Sequence, residues 1–366
     1  MVNKDKFQSK RSFSRTYSAA ALITASALVL TGCAGSGDSS PQAESGDLSS
    51  ASMVYASYGG TTEEYTTQAW GDPFQERTGA EVIYASPIDL GKLRAMVQSN
   101  SVEWDLLQGA YTVAHAPGYA DLFEKIDLRD FDTSALIDGT VQQYGVGAYV
   151  LSYLIAYRTD NDRSENPVDW ADFYDVKAFP GKRGVEAYPA VILETALLAD
   201  GVSADELYPL DLDRAFAKLD EIKDHIVWYE TGAQQQELLQ NGTVDYLMAW
   251  NGRAYDLLNK DVPVEMSFDQ QVAYMGYHVI PKGSPNLNAA TEFIRESLSP
   301  NGQARFAELT AYAPVNTAAL DLIDPAVAKY LPTYGDNNTS TVWLGEQYWT
   351  ENLDQVMERW NSWFLE

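Results

Sequence analysis

The stretch GVGAYVLSYLIAY, residues 145–157, is an unbroken run of β-prone residues. It is far longer than a typical strand of about five or six residues. A strand of this length is suited to crossing from one folded lobe into another. A comparable run at residues 272–280 is suited to carrying the chain back. Together the two runs predict a fold in which two lobes share long connecting strands.

Short apolar runs alternate with helical patterns elsewhere in the chain, which is typical of α/β organisation. The clearest helix follows Asp211, which can cap it, and places Leu212, Phe216 and Leu219 on one face. A second helix is predicted at residues 288–298, after a segment rich in Pro and Gly. The remaining predicted strands lie at residues 54–56, 81–84, 105–107, 226–229 and 244–249.

The first 32 residues have the composition of a secretory leader. An uncharged run rich in Ala and Leu at residues 18–30 follows a basic segment, and it is shorter than the ~20 residues that a membrane span requires. It ends in LTGC at residues 30–33, which resembles the bacterial lipobox. Cys33 is therefore the predicted lipidation site and residues 1–32 the predicted lipoprotein signal peptide. The basic segment also resembles a twin-arginine signal with Lys in the first Arg position, so the export route stays open.

Composition limits the remaining classes of function. Residues 33–50 are rich in Gly, Ser, Asp and Pro and predict a flexible tether behind the anchor. Cys33 is the only cysteine, which excludes an intramolecular disulfide and a Cys-based zinc or redox site. The chain has 52 Asp and Glu against 25 Lys and Arg, and this acidity argues against nucleic acid as a partner.

The chain lacks the sequence motifs of the common enzyme classes. It has no GxSxG elbow, no Walker loop and no GxGxxG fingerprint, and His115, His225 and His278 stand far apart. We therefore predict no catalytic residue, no metal ligand and no cofactor. A lipoprotein that hydrolyses a small molecule is the rival class.

Eight short strings, in order along nearly the whole mature chain, carry a family resemblance. They are VYASYGGT at 54–61, LIAYRTD at 154–160, WADFYDVKAFPGKR at 170–183, LADGV at 198–202, LYPLD at 207–211, GAQ at 232–234, WNGR at 250–253 and IPKG at 280–283. Their succession resembles the ABC-transporter solute-binding proteins of the spermidine/putrescine-binding type. Relatives of this type take polyamines, 4-aminobutyrate-like amino acids and other small compounds that carry an amine.

The resemblance implies an α/β, two-lobed type II periplasmic-binding-protein fold with a crossover-strand hinge. Lobe 1 would comprise residues 51–152 with 280–314, and lobe 2 residues 153–279 with 315–366. The lobes would close on a ligand in the cleft between them. The implied partners are an ABC permease and its ATPase, reached by an extracytoplasmic monomer that Cys33 anchors to the membrane.

Candidate ligand contacts follow from the rule that ligands bind at the carboxyl ends of strands in α/β sheets. Aromatic side chains there can enclose a cation, and Glu230 can bind an ammonium group. The predicted ligand-binding residues are Tyr58, Gly59, Gly60, Thr61, Gln108, Tyr149, Glu230, Gln234, Trp250, Asn251, Arg253 and Tyr277.

Arg253 separates two ligand hypotheses. A guanidinium that faces the cleft would repel a diamine and match a carboxylate, which favours an amino acid with well-separated charges such as 4-aminobutyrate. A guanidinium in a structural ion pair would favour a polyamine such as putrescine or spermidine. A quaternary amine or a ferric ion on the same fold are further alternatives, although the 23 tyrosines include no adjacent pair.

Overall fold

The computed structural model describes residues 48–110, 119–160 and 163–365 of the chain. The predicted signal peptide, Cys33 and all but the last three residues of the predicted tether lie outside the described residues, as does His115. In the part that is described, no helix combines the length and the apolar character that a membrane span needs.

Nine strands of the described residues form one mixed sheet. Its order is β2-β1-β3-β8-β4-β7-β5-β6, and β9 pairs with β8. The strands are β1 (Ser52–Ala56), β2 (Glu81–Ala85), β3 (Leu106–Ala110), β4 (Val146–Arg158), β5 (Arg183–Glu186), β6 (Ile226–Tyr229), β7 (Tyr246–Trp250), β8 (Val264–Val279) and β9 (Val342–Trp343).

Helices follow most of the strands, so the predicted α/β organisation is confirmed. Asp211 caps its helix as predicted, because its side chain accepts a hydrogen bond from the backbone N–H of Arg214. The α-helices are α1 (Thr61–Thr66), α2 (Asp72–Thr78), α3 (Leu90–Gln98), α4 (Trp170–Tyr174), α5 (Pro189–Ala199), α6 (Leu212–Asp220), α7 (Gly232–Gln240), α8 (Asn251–Asn259), α9 (Leu287–Leu298), α10 (Pro300–Thr310), α11 (Pro325–Ala328) and α12 (Glu346–Phe364).

The two long strands predicted from the sequence are β4 and β8. They pair antiparallel from Val146 opposite His278 to Arg158 opposite Val264, with two shifts of register along the way. β8 has 16 residues and begins at Val264, well before the predicted start at residue 272. The β4–β8 ladder is thus the longest stretch of strand pairing in the described sheet.

Hydrophobic residues pack into three cores along this ladder. β4 contributes residues 146 and 148–151 to the first core, Tyr153 and Ile155 to the second, and Leu154 and Ala156 to the third. Ser152 therefore marks the point at which β4 leaves the first core. Beyond it, successive side chains point to opposite faces of the sheet and pack alternately into the second and third cores. The first core also contains residues from Val315 to Leu331, and the second contains residues from Val342 to Trp363. The predicted division of the chain into two lobes stays a prediction.

Asn251 ties the crossing segments together at this change of core. Its side chain is fully buried, accepts a hydrogen bond from the backbone N–H of Ser152 (3.1 Å) and donates one to the carbonyl of Ala311 (2.6 Å). Val150 and Ala313 exchange a pair of backbone hydrogen bonds close by. Asn251, predicted to contact ligand, thus has both ends of its amide committed to the backbone.

Replacing Asn251 with Ala should lower the free energy of unfolding by roughly 2 to 4 kcal/mol, because one buried N–H and one buried C=O lose their partner. Urea unfolding would measure the loss. Asn288→Ala, at an exposed position of α9, is the matched control and should change stability by less than about 0.5 kcal/mol. Equal stability of the two variants would contradict the bracing role of Asn251.

Candidate ligand-binding site

Aromatic side chains gather on one face of the β4–β8 ladder. Tyr149 and Tyr153 are four residues apart on β4 with no shift of register between them, so they point to the same face. Tyr274 lies between them on the opposite strand, and its ring stacks on that of Tyr153 with 6.2 Å between centroids. Trp250 pairs with Tyr153 at the end of β7, again with 6.2 Å between rings. Four rings thus line one face at the carboxyl end of β7.

Tyr149 occupies space that a glycine leaves open. It lies opposite Gly276, where an added Cβ would approach the tyrosine ring to 2.4 Å. Tyr149 also stacks on Tyr312 with 5.1 Å between centroids, and its hydroxyl accepts a hydrogen bond from Gln108. The other amide atom of Gln108, Oε1, is buried without a partner among the described residues. Gln108 therefore keeps an acceptor available at this face.

Glu186, the last residue of β5, supplies a carboxyl group to the cluster. It accepts hydrogen bonds from the Tyr153 hydroxyl and from Trp250 Nε1, the latter at 3.4 Å. Loss of hydration raises the pKa of Glu186 above its usual range, against the lowering effect of these two hydrogen bonds. No cation pairs with Glu186 among the described residues. Its charge is thus without an opposite partner.

Two exposed tyrosines lie near Glu186. Tyr58 is 60% exposed and Tyr188 is 40% exposed. Loss of hydration nevertheless raises the pKa of Tyr58 to about 12, with further contributions from nearby Tyr188 and Glu186. Tyr58 and Tyr188 thus both lie near Glu186 and remain accessible to solvent.

Arg253 supplies the opposite charge. Its guanidinium donates hydrogen bonds to the hydroxyl groups of Thr61 and Thr62 on α1, the second at 3.1 Å. It lies 5.9 Å from the ring centroid of Trp250. Arg253 makes no ion pair within the described ranges. Trp250 thus lies near both an unneutralised carboxyl and an unneutralised guanidinium.

A small, solvent-open cavity adjoins the guanidinium. Asp256 also faces it, but this carboxylate accepts hydrogen bonds from Lys260 (2.7 Å), Gln236 (2.6 Å) and Tyr65 (3.1 Å). Its charge is neutralised locally, so the positive charge that faces the cavity is that of Arg253. The lining residues are Thr61, Thr62, Tyr65, Gly252, Arg253, Asp256, Thr310 and Tyr312.

The structure brings together part of the predicted ligand set. Thr61 bonds to Arg253, which lies beside Trp250, and Tyr58 lies near Glu186. Tyr149, with its partner Gln108, shares the face of the aromatic cluster. Gly59 and Gly60 form the turn before α1 with φ of 75° and 65°, a backbone conformation that favours glycine. Their predicted role in ligand binding stays a prediction.

Glu230 and Gln234 have a different role. Gln234 Oε1 accepts hydrogen bonds from the backbone N–H groups of Glu230 (2.8 Å) and Thr231 (3.1 Å), which completes a capping box at the start of α7. Both residues are exposed and follow β6, which is the edge strand. Glu186, on the strand between β6 and β7, takes the position beside the aromatic cluster that the sequence analysis gave to Glu230.

Tyr277 lies on the opposite face of β8. It is three residues from Tyr274, and an odd offset in a strand reverses the direction of the side chain. Its ring is buried in the first core, and its hydroxyl lies 3.5 Å from Glu346 Oε2 on α12. Tyr274 replaces it in the aromatic cluster.

Sequence reasoning missed Glu186, Tyr188 and Tyr274. β5 reads RGVE, which has one β-prone residue among four. The strand pairs with β6 and β7, and its buried Arg183 donates hydrogen bonds to backbone carbonyls, among them those of Phe173 (3.1 Å) and Gly181 (2.6 Å). Had β5 been recognised, the carboxyl-end rule would have selected Glu186.

Glu346 should make the stability of the ligand-free protein depend on pH. Loss of hydration raises its pKa to about 7, above the ordinary value of 4.5, so between these values only the folded chain keeps the proton. The free energy of unfolding therefore falls as pH rises through this window. Glu346→Gln should remove on the order of 2 kcal/mol of this dependence, allowing for partial exposure.

The measurement is the denaturant midpoint of wild type and Glu346→Gln at pH 5 and pH 8. The variant should be the more stable of the two at pH 8 and close to wild type at pH 5. A parallel pH dependence in both proteins would show that Glu346 does not titrate in this range.

Comparisons with known proteins agree with this architecture. Residues 69–333 match the family model for bacterial extracellular solute-binding proteins. The gamma-aminobutyric acid-binding protein of Pseudomonas aeruginosa is 33% identical over 321 residues, covering 86% of this chain and 91% of that protein. The spermidine/putrescine-binding periplasmic protein of Escherichia coli is 22% identical over 297 residues, covering 75% of this chain and 82% of that protein.

Solved structures agree as well. The structure of a GABA receptor superposes with a TM-score of 0.80 at 41% identity, covering 85% of this chain and 97% of that one. The PBP AgtB from A. tumefaciens, solved in complex with agropinic acid, gives a TM-score of 0.75 at 31% identity, covering 86% and 99%. These similarities confirm the predicted fold class and the family resemblance.

Proposed function

From the premise that this chain belongs to the bacterial extracellular solute-binding protein family, we propose that its cleft binds a small amino acid with well-separated charges, such as 4-aminobutyrate. The family consists of transport proteins and is not an enzyme family. Its members capture a solute outside the cytoplasm for an ABC importer.

The observation that carries the proposal is the pair of unneutralised charges that both lie beside Trp250. An isolated charge in a poorly hydrated site is costly, and a complementary partner removes that cost. Glu186 offers a carboxyl to an ammonium group, and Arg253 offers a planar fork to a carboxylate. A single zwitterion that spans the indole would pair both charges.

The rings around Glu186 fit the same ligand. The ammonium end would lie among Tyr58, Tyr153, Tyr188 and Trp250, whose faces attract a cation. The methylene chain would lie against the indole. The carboxylate would reach the guanidinium of Arg253 and the cavity beside it, where Thr61 and Thr62 add hydroxyl groups.

A diamine fits less well. Putrescine carries a second ammonium group where the carboxylate of the amino acid would lie, and Arg253 would repel it. The relatives also favour an amino acid over a diamine. Those named for GABA are 33% and 41% identical to this chain, whereas the one named for spermidine and putrescine is 22% identical. A quaternary amine would use the rings but leave Arg253 without a carboxylate.

Calorimetric titration with 4-aminobutyrate, putrescine, spermidine and betaine tests the ligand. We expect 4-aminobutyrate to bind most tightly. Arg253→Gln and Glu186→Gln should each weaken its binding by roughly 10- to 100-fold, the loss expected for a charge-assisted hydrogen bond. Arg214→Gln is the matched control, since Arg214 pairs with Asp200 at the surface and its loss should leave affinity within about twofold.

Two outcomes would contradict the proposal. Tighter binding of putrescine than of 4-aminobutyrate would show that Arg253 does not select a carboxylate. Unchanged affinity for 4-aminobutyrate in both Arg253→Gln and Glu186→Gln would show that the ligand lies elsewhere.

The proposal extends to the anchor. Cys33 would carry a diacylglycerol group, and residues 33–50 would tether the binding domain to the membrane as a monomer beside the ABC permease and its ATPase. The support is the leader composition with the LTGC string at residues 30–33.

Cys33→Ser should move the protein from the membrane fraction to the soluble fraction, because the acyl chains provide the attachment. Labelled palmitate should enter the wild type and not the variant, which has no cysteine left. Label in the variant, or a variant that stays with the membrane, would contradict lipidation at Cys33.

A further inference from the structure

Gly232 lies directly beneath the guanidinium of Arg253. It is the first residue of α7 and is buried. A Cβ added at this position would stand 2.6 Å from Arg253 Nε and 3.0 Å from Cζ. It would also stand 3.1 Å from Trp250 Cζ3. The missing side chain therefore creates the space in which the guanidinium lies against the indole.

The backbone at Gly232 does not require glycine. Its φ lies outside the left-handed region, unlike that of Gly59 or Gly60. The capping box of α7 is made by Thr231 and Gln234, so the cap does not depend on the residue between them. Alanine is compatible with the first position of a helix. What the glycine provides here is space rather than conformational freedom.

Two threonines of α1 also hold the guanidinium in place. Thr61 and Thr62 accept hydrogen bonds from its two terminal nitrogens. Arg253 is thus enclosed by Gly232, the Trp250 ring and two hydroxyl groups. A planar fork binds a carboxylate well only in one orientation, so this enclosure pre-organises the group.

We propose that Gly232 is a positioning residue that fixes the Arg253 fork at the ligand site. This inference rests on the proposed function for its consequence in ligand binding, but its geometric content concerns Arg253 alone. A methyl group in place of the Gly232 hydrogen would push Nε away by ~1 Å to reach an ordinary contact distance. The end of an arginine side chain can move by that amount without unfolding the protein.

A double-mutant cycle tests the inference with 4-aminobutyrate as the probe. Gly232→Ala alone should weaken binding about tenfold, as expected when one charge-assisted hydrogen bond is misaligned. In an Arg253→Lys background, where no planar fork meets the methyl group, Gly232→Ala should change affinity by less than about twofold. An equal loss in both backgrounds would overturn the inference, since Gly232 would then act through Trp250 or the fold.

A second measurement needs no ligand. The Arg253 Nε–H resonance, assigned by its absence from Arg253→Lys, should shift in Gly232→Ala, and an unmoved resonance would overturn the inference. If Gly232→Ala does not fold alone, Arg253→Lys should restore its folding by removing the clash, and a double variant that stays unfolded would overturn it too. Failure of wild type to bind 4-aminobutyrate would instead overturn the proposed function.

Discussion

The antiparallel ladder between β4 and β8 is the constraint on which the rest of the structure depends. Its register is fixed because both faces of the sheet are buried, and a slip of one residue would exchange every side chain between them. With that register, Tyr149, Tyr153 and Tyr274 share one face, and Tyr277 with Met275 shares the other. The first core packs at one end of the ladder and the second and third at the other.

The charges of the cleft depend on the strands beside this ladder. β5 and β7 are parallel and paired, so Glu186 and Trp250 reach the same edge of the sheet at their carboxyl ends. α8 begins at the next residue and places Arg253 within its first turn. The sheet thus sets a carboxyl and a guanidinium beside one indole without pairing them to each other. In the proposed function, the solute completes this arrangement.

Glycines occupy tightly packed positions around the aromatic cluster and Arg253. Gly276 admits the ring of Tyr149, and Gly232 admits the guanidinium of Arg253. Gly252, on α8, lies where a Cβ would stand 2.6 Å from the carbonyl oxygen of Thr310. At each position the neighbour comes from a distant part of the chain or another element. At each of these glycines, the absence of a side chain lets the neighbouring group pack closely.

The sequence by itself determined the long strands, the capped helix after Asp211, the family, and the choice of Arg253 as the residue that separates the two ligand hypotheses. Each of these follows from a local pattern or from an ordered series of strings. Only the tertiary structure showed that Glu186 rather than Glu230 adjoins the aromatic cluster, and that Tyr274 rather than Tyr277 lies on its face. Those choices depend on which distant strands pair and in which register. β5 is too short and too polar to show a hydrophobic pattern in the sequence. Its first residue, Arg183, can be buried because the fold brings backbone carbonyls that accept its hydrogen bonds.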